Sequence, residues 1–294
     1  MQNKFIKSLI TIAASMLLTH TPTTAQAAAN HPAFKVEVHG DAGQPVILIP
    51  GLASSGEVWD GTVAHYCGQR QCHVLTLAGF GGNPAVEGPL LSSAEQQLSE
   101  YITANKLQHA IVIGHSLGGF LGMKLAADHP DQVGRLVIVD TLPALGARQM
   151  PSMTGVQLKE MAAGMRDQML QAGPDARAAR MRQNMETMVT KPADIEYLMG
   201  MGMRSDATTV ANAMYELIAD DMRDGVARIK APTLVLGSWI AYKDYAPRAA
   251  FEATYQTQYQ KLPGVKIELS DTARHFIMYD DPKWMYDRID NFLK

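Results

Sequence analysis

Short apolar runs alternate with longer amphipathic segments along most of this 294-residue chain. Residues 34–38 alternate apolar and polar positions with a period of two, which predicts a half-exposed edge strand. Six further short runs predict strands, and the runs that are apolar throughout are typical of strands buried on both faces. These six runs are residues 45–49, 73–77, 110–113, 135–139, 233–236 and 265–269.

Helical spacing separates these strands. Residues 57–66, 93–106, 117–129 and 282–293 predict helices, with Ser92 or Ser93 as the cap of the second. Strands that alternate with helices of ten or more residues indicate a mostly parallel sheet. We therefore predict an α/β fold in which helices cover both faces of one sheet.

One long stretch interrupts this alternation. Between Asp140 and Pro232 the pattern predicts no strand, and the helical spacing breaks at Gly173-Pro174 and Lys191-Pro192. We predict a helical insertion, a lid, over about residues 143–228. Residues 150–222 contain 13 of the 18 methionines, which is explained either by ordinary helix packing or by an adaptable apolar lining over a pocket.

The N-terminus has the order of a secretory signal peptide. Lys4 and Lys7 precede a short apolar stretch, and Ala25-Gln26-Ala27 is a small-residue cleavage site. We predict a signal peptide over residues 1–27, a mature domain over residues 30–294, and a secreted or periplasmic location. No later segment is long and apolar enough for stable membrane insertion.

Composition narrows the choice of partner. Charged residues form 19% of the chain and the formal net charge is −3, with no run rich in lysine or arginine, so nucleic-acid binding is not expected. The chain has two cysteines, Cys67 and Cys72, whose close spacing in an oxidising compartment favours a disulfide over a free buried pair. Such a pair is poor evidence for zinc, and we predict no metal or organic cofactor.

The strongest chemical motif is Gly114-His115-Ser116-Leu117-Gly118. A bare G-x-S-x-G pattern is weak evidence, but here a predicted strand leads into it and a predicted helix follows it at once. Reversing the chain at a single residue strains the backbone, and the flanking glycines remove the β-carbons that would clash. The pattern therefore predicts Ser116 as an exposed nucleophile at a helix N-terminus, which favours negative charge.

From residue 34 onward the chain resembles the α/β-hydrolase fold superfamily, in its single-domain esterase-like branch. The resemblance covers nearly the whole predicted mature chain. Its motifs occur in the expected order: Ile49-Pro50-Gly51-Leu52, Gly79-Phe80-Gly81-Gly82, Gly114-His115-Ser116-Leu117-Gly118-Gly119, Asp140 and Arg274-His275-Phe276.

The resemblance implies the partners of the serine. It assigns the backbone amides of Leu52 and Leu117 to an oxyanion hole, although this chain has Pro50 where relatives often have histidine. His275 is the histidine that follows the last predicted strand, in the loop that returns beside the serine in this fold. We expect His275 to be the general base.

A third residue, the acid of a Ser-His-Asp triad, would orient His275, and the sequence leaves its identity undecided. In many relatives the acid lies three residues after a glycine that ends the next-to-last strand. In this chain that glycine is Gly237, and the residue three positions later is Ile240, which is not an acid. Asp244 would serve if the loop carried a short insertion. Asp140, at the end of the strand after the nucleophile helix, is slightly preferred because a strand end fixes a carboxylate better than a loop. Asp271 is a third candidate.

These residues predict a serine hydrolase that cleaves a carboxylic ester or a related acyl bond, such as a lactone or thioester. Apolar helices over the site favour a small to medium hydrophobic acyl substrate. A different class also remains open, because some proteins of this fold are small-molecule receptors or binding modules with weak or silent catalysis.

Overall fold

A computed structural model describes residues 31–294 of the chain. Seven strands form one sheet in the order β1-β3-β2-β4-β5-β6-β7. Strand β1 pairs antiparallel with β3, and every other neighbouring pair is parallel. The strands are β1 (Phe34–His39), β2 (Val46–Ile49), β3 (Cys72–Leu77), β4 (Ala110–His115), β5 (Val133–Val139), β6 (Thr233–Ser238) and β7 (Lys266–Ser270). All seven predicted strands are confirmed.

Eleven α-helices accompany the sheet within the described residues. They are α1 (Asp60–Tyr66), α2 (Leu90–Ala104), α3 (Leu117–Asp128), α4 (Leu145–Gln149), α5 (Gly155–Gln171), α6 (Pro174–Met188), α7 (Pro192–Met203), α8 (Ala207–Ala219), α9 (Arg248–Gln258), α10 (Ile277–Asp280) and α11 (Pro282–Leu293). Short 3₁₀ helices span Gly56–Trp59, Gly225–Arg228 and Ile240–Tyr242. The predicted α/β class is therefore confirmed.

The core divides between the two faces of the sheet. Along β4, Val112 packs with one cluster of buried side chains, whereas Ile111 and Ile113 pack with the other. Alternate residues of a strand point to opposite faces, so helices must cover both. Helices α2 and α3 contribute to the first cluster, and α11 contributes to the second. This double cover explains why the central strands are apolar throughout.

Helix α2 corrects one prediction. The sequence places its start at residue 93 with a serine cap, but the helix begins at Leu90, and the side chain of its N-cap residue, Pro89, makes no capping hydrogen bond. Its first amides instead donate to Glu216 of α8, from Leu90 N to Oε1 at 2.9 Å and from Leu91 N to Oε2 at 3.0 Å. A carboxylate more than 120 residues away thus caps the helix, which no local pattern reveals.

The stretch between β5 and β6 is helical, and it comprises α4 to α8. Its helices break at the predicted places, because α6 begins at Pro174 and α7 begins at Pro192. Its methionines divide in their surroundings. Met199 and Met201 are buried among apolar side chains, whereas Met150, Met153, Met165 and Met203 are exposed. Ordinary helix packing therefore accounts for part of the methionine content.

Cys67 and Cys72 form a disulfide, as the spacing predicts, and it joins the end of α1 to the start of β3. The predicted signal peptide, residues 1–27, lies outside the described residues. Within residues 31–294, no helix combines the length and apolar character needed to cross a membrane.

Candidate active site

Ser116 occupies a sharp reversal between β4 and α3. Its φ is 51° and its ψ is −120°, a backbone conformation that residues other than glycine rarely adopt. The chain packs tightly on both sides of this reversal. A β-carbon on Gly114 would meet the carbonyl group of Gly118, so only glycine fits there. The side chain stands at the N-terminus of α3, where unpaired amides favour negative charge. Ser116 is partly exposed although its neighbours in the chain are buried.

The glycines after Ser116 let α3 approach the sheet closely. A β-carbon on Gly118 would collide with the carbonyl oxygens of Ile49 and Pro50, at the end of β2. On Gly119 it would lie 2.9 Å from the carbonyl oxygen of Gly114. At both positions the missing β-carbon therefore lets the helix pack closely against the strand.

Asp140 lies beside Ser116, and both residues follow the carboxyl ends of neighbouring strands. His115 pairs with Val139 as the last step of the β4–β5 ladder, so Ser116 and Asp140 are the residues that follow on the two neighbouring strands. The Ser116 amide donates to the carbonyl oxygen of Val139 at 2.9 Å. Asp140 also has a positive φ, 50°. Both residues therefore leave the ladder with a positive φ.

The carboxylate of Asp140 accepts four hydrogen bonds. Its Oδ1 accepts from the Ser238 amide at 2.7 Å and from the Tyr255 hydroxyl at 2.8 Å. Its Oδ2 accepts from the Ser238 hydroxyl at 2.8 Å and from Nδ1 of His275 at 2.6 Å. Each oxygen thus has two donors, and the carboxylate is held from three directions.

These donors set the charge state of Asp140. Its side chain is only 9% exposed, and burial by itself raises the pKa of a carboxyl group. Hydrogen bonds and the charge interaction from His275, together with the bonds from Ser238, outweigh that effect, so the pKa of Asp140 lies below its usual value. The group is a carboxylate at neutral pH. Burial, and after it the same carboxylate, raises the pKa of Tyr255 well above its usual value, so Tyr255 stays a donor.

His275 lies in the loop between β7 and α10. Its Nδ1 faces Asp140, and its side chain is 23% exposed. Its ring lies 4.6 Å from the ring of His115, the residue before Ser116. Among the described residues, no hydrogen bond of 3.5 Å or less joins the Ser116 hydroxyl to His275. Catalytic hydrogen bonds of this kind are often long in proteins without substrate and shorten when it binds.

The other two carboxylates stand elsewhere. Asp244 is exposed in the segment before α9. Asp271 is exposed as well, and its Oδ1 accepts from Nε of Arg248 at 2.6 Å. The structure thus brings Asp140 to His275 and places neither Asp244 nor Asp271 there. Within residues 31–294, no group of three or more histidine, cysteine, aspartate or glutamate side chains is arranged to hold a metal ion.

The amides of Leu52 and Leu117 are unoccupied by other groups of the described chain. Leu117 is the first residue of α3, so its amide has no acceptor inside the helix. Leu52 follows Gly51, and a β-carbon on Gly51 would lie 3.2 Å from Cβ of Ser116. The loop after β2 therefore packs against Ser116, and Leu52 is the next residue of that loop.

The helical insertion is bonded to the loops around Ser116. The hydroxyl of Ser205 accepts from the Gly81 amide at 2.9 Å and lies 3.3 Å from the carbonyl oxygen of Ala53. The Phe276 amide donates to the carbonyl oxygen of Met188 at 3.0 Å. The insertion thus contacts both the loop that carries Leu52 and the loop that carries His275.

Two residues at the site, Ser238 and Tyr255, are not predicted from the sequence. Ser238 is the last residue of β6, and its position next to Gly237 is a signal that could have drawn attention to it. Tyr255 lies in α9, a helix that the sequence analysis does not predict, and it reaches Asp140 across 115 residues. Nothing local in the sequence marks Tyr255, because its role depends on how α9 packs on the sheet.

Comparison with known proteins supports the same fold. The model of the alpha/beta hydrolase family matches residues 46–288. A pimeloyl-[acyl-carrier protein] methyl ester esterase from Vibrio cholerae is 32% identical over 106 residues, which cover 36% of this chain and 40% of the relative. A putative carbamate hydrolase, RutD, from Escherichia coli O157:H7 is 35% identical over 97 residues, covering 32% of this chain and 36% of the relative. The chain thus spans about two fifths of the length of the curated relatives it matches.

Solved structures extend the likeness over most of the chain. The enol-lactonase from Burkholderia xenovorans LB400 has a TM-score of 0.71 at 20% identity and covers 88% of this chain and 96% of its own. A thermophilic esterase from Thermogutta terrifontis has a TM-score of 0.72 at 20% identity, with coverage of 88% and 92%. At these identities the likeness shows the fold. Because the family model matches residues 46–288, which is most of this chain, the chain belongs to the alpha/beta hydrolase family.

Proposed function

We propose that this protein is a serine hydrolase that cleaves a carboxylic ester or a related acyl bond through an acyl-enzyme. One observation carries the proposal. A strained serine at a helix N-terminus stands beside a buried carboxylate, Asp140, which is hydrogen-bonded to the one histidine of the loop after β7. A nucleophile, a base and a group that orients the base are the minimum set for acyl transfer by serine.

In the proposed reaction His275 takes the proton of Ser116 while the serine oxygen attacks the carbonyl carbon. Asp140 holds Nδ1 of His275 protonated, which leaves Nε2 free to accept that proton, and it stabilises the imidazolium that forms. The amides of Leu52 and Leu117 donate to the oxyanion. His275 then protonates the leaving alcohol, and water activated by the same residue releases the acid.

The substrate class rests on the surroundings of the site and on the relatives. Among the latter are proteins named as a methyl ester esterase and a carbamate hydrolase, and similar structures include an enol-lactonase and an esterase. The insertion that contacts the site loops is rich in apolar side chains, among them the buried Leu198 and Met199. A small to medium hydrophobic acyl substrate fits these features, and we propose that the insertion acts as a lid over it.

The test is a panel of p-nitrophenyl esters and lactones of increasing acyl length, assayed with the purified protein. We expect turnover of at least the shorter esters and its loss in Ser116→Ala. Ser152→Ala is the matched control, because Ser152 is exposed. Undiminished turnover in Ser116→Ala would refute the proposed nucleophile.

We also propose export of the protein through residues 1–27. Two features support it: the charged, apolar and small-residue order of that segment, and the disulfide between Cys67 and Cys72, a bond that persists in oxidising compartments. N-terminal sequencing of protein from the periplasm or medium should find a start near Ala28. A product that retains Met1 and stays in the cytoplasm would refute the proposal.

A further inference from the structure

The proposed reaction does not use His115, although it is the residue before the nucleophile and is almost fully buried. Only 1% of it is exposed. Its ring packs against the rings of Phe276 and Trp59, whose centroids lie 4.8 Å and 6.5 Å from its own. Burying an imidazole among apolar rings costs free energy unless its nitrogens are hydrogen-bonded. The partners of those nitrogens therefore indicate what His115 does.

One nitrogen of His115 bonds the backbone of the proposed base. Nε2 lies 3.1 Å from the carbonyl oxygen of His275, 160 residues later in the chain. A carbonyl oxygen only accepts, so Nε2 carries the proton and donates. In the neutral ring Nδ1 is then unprotonated. Nδ1 is buried without a hydrogen-bond partner in the described chain, and it faces Gly51, whose β-carbon, if present, would lie 2.9 Å away.

The surroundings keep His115 neutral. Burial, followed by repulsion from His275, lowers the pKa of His115 to about 3, and the opposing attraction of Asp140 is smaller. His275 and Asp140 are the titratable groups that face it. A second imidazolium whose ring lies 4.6 Å from His275 would oppose the positive charge that His275 takes up in the reaction. A neutral ring in this place can hold His275 without that repulsion.

We propose that His115 is a positioning residue for His275. Its Nε2–H fixes the His275 carbonyl, and its ring packs against the His275 ring, so that the imidazole stays aligned between Asp140 and Ser116. Because His115 is the last residue of β4 and Ser116 follows it directly, one side chain couples the position of the base to that of the nucleophile. This inference rests on the proposed function.

Two variants separate positioning from simple packing. His115→Phe keeps an aromatic ring of similar size but has no donor for the His275 carbonyl. His115→Gln loses the ring, yet its amide nitrogen reaches about as far as Nε2 and can donate. A packing role favours the phenylalanine variant, whereas the positioning role favours the glutamine variant.

The assay measures kcat and KM of ester hydrolysis. We expect H115F to lower kcat by about tenfold or more with KM within about twofold, and H115Q to recover most of that loss. Equal kcat in wild type and H115F, or a worse H115Q than H115F, would overturn the proposal.

Nitrogen-15 NMR of the wild-type protein gives an independent test that needs no variant to fold. We expect His115 to be protonated at Nε2 only and not to titrate between pH 5 and pH 9. Protonation at Nδ1, or a titration in that range, would overturn the proposal. If the wild type hydrolyses no ester and reacts with no serine-directed probe, the proposed function fails, while the NMR result still decides whether His115 holds the His275 carbonyl.

Discussion

Replacing Asp140 with asparagine should misplace a single proton on His275. The two oxygens of Asp140 have different partners: Oδ1 accepts from the Ser238 amide, and Oδ2 accepts from Nδ1 of His275. A backbone amide can only donate, so in Asp140→Asn the side-chain oxygen must stay at the Oδ1 position. The new NH₂ group then stands where Oδ2 was, where the Ser238 hydroxyl can rotate to accept from it.

This orientation turns His275 into the unreactive tautomer. The asparagine NH₂ donates to Nδ1 of His275, which must give up its proton, so the ring carries its hydrogen on Nε2 instead. Nε2 can then no longer accept the proton of Ser116. The loss expected for a wrong tautomer is about 10⁴-fold in kcat, which corresponds to about 5.5 kcal/mol in the activation free energy.

The assay is steady-state hydrolysis of a p-nitrophenyl ester at pH 7, with circular dichroism to verify the fold. Asp244→Asn is the matched control, because it makes the same chemical change at an exposed carboxylate. We expect it to stay within about twofold of wild type, as surface substitutions usually do. The reasoning is refuted if D140N retains activity within tenfold of wild type, or if D244N is the more damaged variant.

Three further predictions concern the hydrogen bonds of Asp140 and the packing of α3 against the sheet. Tyr255→Phe removes one of the four donors to Asp140 and should lower kcat/KM by up to about tenfold, whereas Tyr245→Phe, at an 87% exposed position, should leave it unchanged. The pKa of Asp140 lies below its usual value of 3.8, so its bonds stabilise the fold above that pH and are lost as the pH falls below it; the melting temperature of wild type should therefore fall more steeply below about pH 4 than that of D140N. Gly118→Ala should destabilise the protein by about 3 kcal/mol because its β-carbon meets backbone carbonyls, whereas Gly155→Ala, with open space around it, should not, and chemical denaturation compares the two.

The sheet was predictable from the chain because its signals are local. Strands buried on both faces must be apolar throughout, and breaks such as those before Pro174 and Pro192 follow from the geometry of proline itself. The turn at Ser116 was predictable for the same reason, since Gly114 is required by a backbone contact with Gly118, four residues later.

The partners of the carboxylate were less predictable because they come from distant segments. Asp140 could be ranked above Asp244 only by a slight preference for a strand end. Besides His275, the residues that donate hydrogen bonds to it are Ser238 and Tyr255, and Tyr255 lies in a helix that the pattern did not reveal. The predicted start of α2 was wrong for the same reason, because the carboxylate that caps it, Glu216, belongs to the insertion. Sequence periodicity describes one element at a time, whereas these contacts depend on how elements pack together.

The central claim is that Ser116 is a nucleophile activated by His275, and a fluorophosphonate probe tests it most directly. The serine oxygen displaces fluoride and forms a phosphonate ester, which mass spectrometry locates on a peptide. We predict stoichiometric labelling at Ser116, none in Ser116→Ala, and much slower labelling in Asp140→Asn. A folded wild-type protein that takes up no label would contradict the account and favour a binding protein with a silent site. A label that persists in Ser116→Ala would contradict it as well, because the nucleophile would then be another residue.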